Sequence, residues 1–346
     1  MTSPGPIFHL ALRETHAVAG ASFAESGGWS LPMSYSGVVD EHHAIRSSTG
    51  VIDRSNRSRI LVTGTDALDT LRAAFAGHLE DIEEGRAIRT AALDAEGMIR
   101  DLVLVSRTGG IAYMVSGEPT QRGQTLERLR SAVQPDFDAN VEDRTESTCL
   151  IGVVGPGAAQ IVAEHLADAL PARLPSLGCV TFQFHGFRGL AIRTSDTGED
   201  GFEFMLAPAV AQHLIETLTP VATLCGMQAT EIARVEAAIP AYLPDLETGL
   251  SPAEADLDVL LDIPGGAEGR ILAGILLETD PVAVGTPVSL EGRTIGEMRS
   301  CVRSPGLNAT IGLGIIDARE AFPGKVLTMG GGTGTIVAKP FYRRRI

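Results

Sequence analysis

Apolar positions along the first 260 residues follow two periods. DALDTLRAAFAGHL (66–79), GQTLERLRSAV (123–133) and ATEIARVEAAIP (229–240) repeat every three to four residues, the spacing of one helix face. IFHLALRETHAVAG and VVDEHHAIRSSTG read as two earlier helices, the second closed by Gly50, and AVAQHLIETLTPVATLCG as a later one. Between them lie short apolar runs bounded by turn residues: VIDRSNRSRILVTG, AIRTAALDAEGMIRDLVLVSRTGGIAYMVS, CLIGVV and VTFQFHGFRGLAI, predicted as strands. From about Gly265 the texture changes to regularly spaced short strands with almost no helix, the pattern of a separate small β unit. The expectation is therefore α+β layers over residues 1–260, not a doubly wound parallel sheet, followed by a β-barrel over residues 261–346.

The most concentrated chemistry lies in RTSDTGEDGFEF, Arg193 to Phe204. A tight turn with two glycines and two carboxylates leads directly into FEFML, whose alternation predicts a strand. Successive strand side chains point to opposite faces, so Glu203 faces away from Phe202 and Phe204. If that face is a pocket, Glu203 is an acceptor for a ligand with adjacent N–H groups; otherwise the stretch is a solvated hairpin.

Composition removes several function classes. With 43 Asp+Glu against 28 Lys+Arg the net charge is −15, which argues against nonspecific nucleic-acid binding and docking on anionic membranes. The four cysteines, Cys149, Cys179, Cys225 and Cys301, show no CxxC spacing, and the eight histidines form no HExxH, so no metal site is expected. MTSPGPIFHL does not read as a signal peptide and no apolar run approaches membrane-spanning length, so a cytoplasmic protein is expected. No phosphate-binding loop is present; GGGTG near the C-terminus precedes no helical pattern.

Read in order, the segments resemble the aminomethyltransferase family, the tetrahydrofolate-dependent T-protein of the glycine cleavage system and its relatives. GGWSLPMSY resembles the family's GW-x-MP-x-x-Y segment, GVIDRSNRSRILVTG its G-x-x-D-x-S strand pair, and GMIRDL its GG-x-x-DDL turn. RTSDTGEDGFEF is similar to RTGYTGEDGFE, ARVEAAIPAY to LR-x-EAG-x-P-x-Y, SPAEADL to P-x-EAGL, and the strands around TIGEMRSCVRSPGLNATIGLGII to the family's G-x-x-TSG-x-x-SP-x-L. The resemblance spans nearly the whole chain and implies two intertwined α+β lobes plus a C-terminal barrel.

It also implies roles. Glu203 matches the carboxylate that pairs with the amino and ring N–H groups of the pterin, Arg234 an arginine that helps fix the folate cavity, and Asp101 an acid beside the one-carbon unit. Trp29, Tyr35, Arg89, Ser116 and Asp196 fall at or beside positions that line the folate site. Plainer readings stand beside these: Asp101 as a strand-start acid, Arg234 in an ion pair with Glu231 or Glu236, Trp29 as core, Asp53 as structural. The chain departs from the pattern at Asp196 and Arg89, where the family has tyrosines, at Ser195 and Ala238 for glycines, at Arg100 for an acid and at Ser116 for an asparagine. The expected activity is tetrahydrofolate-dependent one-carbon transfer on a small donor, an anionic one among the options, with no lipoylated carrier. The alternatives are aminomethyl transfer in glycine cleavage, and a noncatalytic folate-binding factor for iron–sulfur assembly, whose cysteine motif this chain lacks.

Overall fold

The computed structural model describes residues 7–166, 169–263 and 269–344. It divides into two compact units: Met1–Ala92, Asp101–Ser195 and Glu199–Thr230 in the first, and Leu93–Arg100, Asp196–Gly198 and Glu231–Ile346 in the second.

Two sheets organise the first unit. The six-stranded one runs Cys179–Phe184, Phe187–Ile192, Gly201–Leu206, Cys149–Val154, Gly50–Asp53, Thr223–Leu224. The five-stranded one runs Ala87–Leu93, Ile99–Gly109, Ala112–Gly117, Ser58–Thr63, Asn140–Asp143. Strand alternation gives each sheet two faces with different duties. Phe202, Phe204 and Leu206 pack with Val162, Leu214 and Leu218 of the helices Ala158–His165 and Pro208–Leu218. Each buried phenylalanine there contributes roughly 1.5–3 kcal/mol. On the other sheet Ile60, Val62, Val103, Val105 and Val115 pack with Leu71 and Leu129 of the helices Ala67–Ala74 and Arg122–Ala132. The opposite faces meet each other: Leu104, Met114 and Ala87 of the five-stranded sheet join Leu150, Leu190, Ile192 and Met205 of the six-stranded one in a single cluster. The first unit is thus layered helix, sheet, sheet, helix. A small sheet of Phe8–His9, Trp29–Ser34 and Ser22–Ser26 completes it.

In the second unit six strands close a barrel, from Arg270–Leu277 to Gly332–Val337, around Ile275, Met298, Ile316 and Leu327. The change of texture expected at Gly265 lies outside the described residues. Some local expectations differ in detail. The early helical stretch yields only Arg13–Val18, and Val38–Ser47 ends before Gly50, which instead opens a strand. The helix Met227–Glu236 ends four residues before Pro240, because Ala238 turns left-handed with φ 53°. His185 and Gly186 form the expected turn, both at positive φ.

Candidate active site

Glu203 stands in register with Gly152 on one side and Ile192 on the other. Its strand turns Phe202 and Phe204 to the helices, so Glu203 shares with Met205 the face toward the second sheet. It is 6 % exposed. Arg54, which follows the strand Gly50–Asp53, reaches it with Nε 3.2 Å from Oε1. Arg54 is seated by its own N–H on the Leu150 carbonyl at 2.8 Å. The fully buried Arg59 braces the same turn, donating to the carbonyls of Ser55 and Arg57 at 3.1 and 2.6 Å. Burial lowers the pKa of Arg59 to about 10.

Two further candidates line the layer between the sheets. Ser116 is in register with Leu104, and its buried Oγ has no hydrogen-bond partner among the described residues. Arg89 lies two positions from Ala87, on the same strand face, and donates to Thr194 Oγ1 at 2.7 Å and the Ser195 carbonyl at 3.3 Å. The layer therefore offers apolar walls (Leu104, Met114, Leu150, Met205), one carboxylate, two guanidinium groups and an orphaned hydroxyl.

Asp101 takes the other face of its strand. Its Oδ2 accepts from Thr125 Oγ1 of the flanking helix at 2.5 Å, and its Oδ1 from the Glu118 N–H at 3.0 Å. It lies against Gly117, next to Ser116 in sequence; a Cβ on Gly117 would come within 2.6 Å of Oδ2. Burial pushes its carboxyl up to about 7, against the downward pull of those two hydrogen bonds.

The remaining candidates lie elsewhere. Trp29 packs with Leu10 and Leu31 in a local core. Tyr35 Oη lies 2.9 Å from His16 Nδ1, and His16 Nε2 lies 2.8 Å from Asp53 Oδ2, a buried chain that ties three segments of the first unit together. Burial, then the charges of Asp53 and Glu41, raise the Tyr35 phenol far above its ordinary range. Glu41 accepts from the N–H groups of Tyr35, Gly37 and Gly226. Arg234 and Asp196 belong to the second unit. Arg234 directs all five N–H groups at protein acceptors: Glu231 twice, Asp245, the Ile239 carbonyl and Ser300. Burial opposes its charge, but Glu231 and Asp245 outweigh burial and hold its pKa above the ordinary value. Arg100, in the second unit too, is doubly bonded to Asp94, with Nε at 2.8 Å and Nη2 at 2.5 Å from Oδ2, and that bond raises its pKa.

Sequence reasoning missed Arg54, His16 and Glu41. Arg54 sits in SNRSR-like polar turn chemistry, which reads as solvent-facing; only the pairing of Gly50–Asp53 with Cys149–Val154 brings it to Glu203. Among the described residues no group of three His, Cys, Asp or Glu is placed to hold a metal, and no helix is long and apolar enough to cross a membrane.

The two-sheet unit and closed barrel match, nearly end to end, relatives named aminomethyltransferase, which makes the chain a folate-dependent one-carbon transferase. The chain belongs to the glycine cleavage T-protein family: residues 12–264 match the GCVT N-terminal domain and residues 270–343 the glycine cleavage T-protein C-terminal barrel domain. It is 33 % identical to an aminomethyltransferase of Streptomyces avermitilis, over 97 % of this chain and 98 % of the relative. It is 31 % identical to an aminomethyltransferase of Cutibacterium acnes, over 96 % and 98 %. A crystal structure of the glycine cleavage system aminomethyltransferase T from Bartonella henselae superposes with a TM-score of 0.89 at 23 % identity, covering 98 % of this chain and 99 % of that one, a likeness of fold.

These matches overturn the expectation that no lipoylated carrier takes part. Family members named aminomethyltransferase match the chain nearly end to end, and the glycine cleavage T-protein normally works with a lipoylated carrier protein. The expected small-molecule donor finds no support in them. The physical argument for it also weakens, because Asp94 already neutralises Arg100.

Proposed function

We propose that the chain carries an aminomethyl unit from a lipoylated carrier to tetrahydrofolate, with the folate held in the inter-sheet layer of the first unit. The observation that carries the reading is Glu203, a buried carboxylate facing a layer walled by Leu104, Met114, Leu150 and Met205. The residues present fit a pterin: flat apolar walls for the ring, an acceptor pair for its N–H groups, and the orphaned Ser116 Oγ for a polar ring atom. Tetrahydrofolate supplies, when bound, the nitrogen nucleophile for the one-carbon unit.

Glu203 binds and orients. Arg89 fixes Thr194 and Ser195, the approach to the Glu203 strand. Asp101, its carboxyl pushed up to about 7 by burial, faces away from that layer and would act on it through Gly117 and Ser116, the segment it lies against. Arg234 shapes the second unit through its bonds to Asp245 and Ser300. Trp29 and Tyr35 act as supports of the first unit, and Asp196 stands in the turn that leads to the Glu203 strand. We assign folate binding to residues 1–260 and treat residues 261–346 as a separate barrel domain.

The test supplies aminomethylated lipoyl carrier and tetrahydrofolate and follows ammonia release and the folate product. Turnover that needs both substrates supports the reading. Absence of turnover with the carrier, alongside turnover with a free small-molecule donor, would overturn it.

A further inference from the structure

We infer that His185 and His213 form a surface site for a divalent transition metal ion of the zinc and copper class, held by the two imidazoles and completed by water. The site lies within the first unit, and it stands independently of the folate reading above.

The fold brings together two rings that are far apart in sequence. His185 sits at the tip of the hairpin between Cys179–Phe184 and Phe187–Ile192, on the edge of the six-stranded sheet, and His213 on the helix Pro208–Leu218 that flanks it. Their ring centres are 4.9 Å apart, with the planes at 62°. Two imidazoles that bind one metal through nitrogens at ~2.0–2.1 Å place their ring centres roughly 5 Å apart. The backbone therefore already holds the separation that chelation needs. Phe184, fully buried, is the floor beneath both: its ring centre lies 4.6 Å from that of His185 and 5.3 Å from that of His213. Both histidines are exposed, so an ion reaches them from solvent. Among the described residues no hydrogen bond engages either ring, and the one charged partner is Glu216, with Oε2 4.0 Å from His213 Nδ1. At that distance the carboxylate occupies no ring nitrogen, and its charge favours a cation beside the ring. Neutral imidazole suits zinc, copper and nickel; magnesium and calcium take oxygen ligands instead. Two protein ligands leave the remaining positions to water, unlike a structural zinc centre with four. Once one ring has bound, the second binds intramolecularly, so the pair should exceed a single imidazole by ~10²-fold or more.

Calorimetry on the untagged full chain with zinc chloride, and with magnesium chloride as the control, decides it. The wild type should bind one zinc ion at this site and show no matching magnesium binding. His213→Ala removes one ring from an exposed helix position, and His185→Asn removes the other while keeping a residue suited to the left-handed turn, where φ is 48°. Each should weaken zinc at least ~30-fold, and the double variant no further than either single one, which is the signature of chelation. In thermal melts zinc should raise the melting temperature of the wild type and of neither variant. Two independent imidazoles would instead give two weak sites, one lost per substitution with the other unchanged, and that result overturns the inference. So does zinc affinity unchanged in the variants, or magnesium bound as tightly as zinc. Should His185→Asn disturb the turn by circular dichroism, His213→Ala decides alone: a loss of at least ~30-fold supports the site and a smaller one overturns it.

Discussion

Glu203 and Asp101 are both buried acids, in unlike surroundings. Glu203 has a cation at 3.2 Å; Asp101 has only neutral hydrogen-bond donors in contact. Glu203→Gln would turn one acceptor into a donor facing a ligand N–H and remove the carboxylate charge 3.2 Å from Arg54. Folate affinity should fall by about 1–3 kcal/mol by calorimetry; wild-type affinity would remove Glu203 from the site. For Asp101 the folded pKa of about 7 lies above the ordinary 3.8. The folded state therefore binds the extra proton between those values, and stability falls as pH rises through that window, by on the order of a few kcal/mol. Asp101→Asn keeps acceptor Oδ1 for the Glu118 N–H and carries no titrating proton. Its stability should fall less steeply than the wild type's between pH 4 and 7 in denaturant titrations and exceed the wild type at pH 8. If Asp101 also serves the reaction, the same variant keeps folate affinity and slows turnover ~10²–10⁴-fold; near-normal turnover would leave it a turn-supporting acid. Glu203 was legible because strand alternation fixes a side chain's face from sequence alone. Arg54 was not, since its role depends on a neighbour about 150 positions away.

Elements followed the sequence best where hydrophobic period and turn chemistry agreed. The hairpin around His185–Gly186 and the strand Gly201–Leu206 are such cases, each bounded by residues suited to positive φ. Prediction was poorest at element ends, where side chains of distant segments decide. The helix Met227–Glu236 illustrates this: its end is set by Ala238, held left-handed as its N–H bonds to the Val235 carbonyl and the next N–H to the Arg234 carbonyl. That closure is one glycine usually makes, and an L-residue with a Cβ there costs about 1 kcal/mol. Ala238→Gly relieves this strain but loosens the unfolded chain, which offsets part of the gain. The expected net result is a small stabilisation, about 0.5 kcal/mol, seen as a rise of ~1–2 °C in melting temperature. A fall in melting temperature would mean the Cβ packs usefully. Arg234, in the same helix, gives the reverse case. Arg234→Ala strands the buried Asp245 without its cation and should cost roughly 3–5 kcal/mol by chemical denaturation. A loss below about 1 kcal/mol would show that Asp245 finds another partner.

For the whole molecule, order of segments carried more than any single string. The barrel was legible in short, evenly spaced strands, and layered α+β in the alternation before it. What composition could not show was how local charges are matched inside a chain of net charge −15. The expectation of an anionic small-molecule donor treated Arg89 and Arg100 as cations open to a ligand. In the structure Arg100 is held by two bonds to Asp94, itself fixed by the N–H groups of Glu96 and Met98, and Arg89 is engaged by Thr194 and Ser195. The Arg100 cation, matched by Asp94, neither draws in a carboxylate nor repels a protonated amine strongly, and its side chain is 40 % exposed, where solvent screens what remains. Arg100→Ser should therefore change kcat/KM for an aminomethylated lipoyl carrier by less than about 3-fold, the scale of an exposed ion pair. The matching measurement offers small carboxylated methylamines as donors to wild type and variant, following the folate product. Little or no product is expected from either. A wild type that uses such a donor well, with KM rising tenfold or more in Arg100→Ser, would restore Arg100 as an anion-binding group and make the small-molecule donor the better reading.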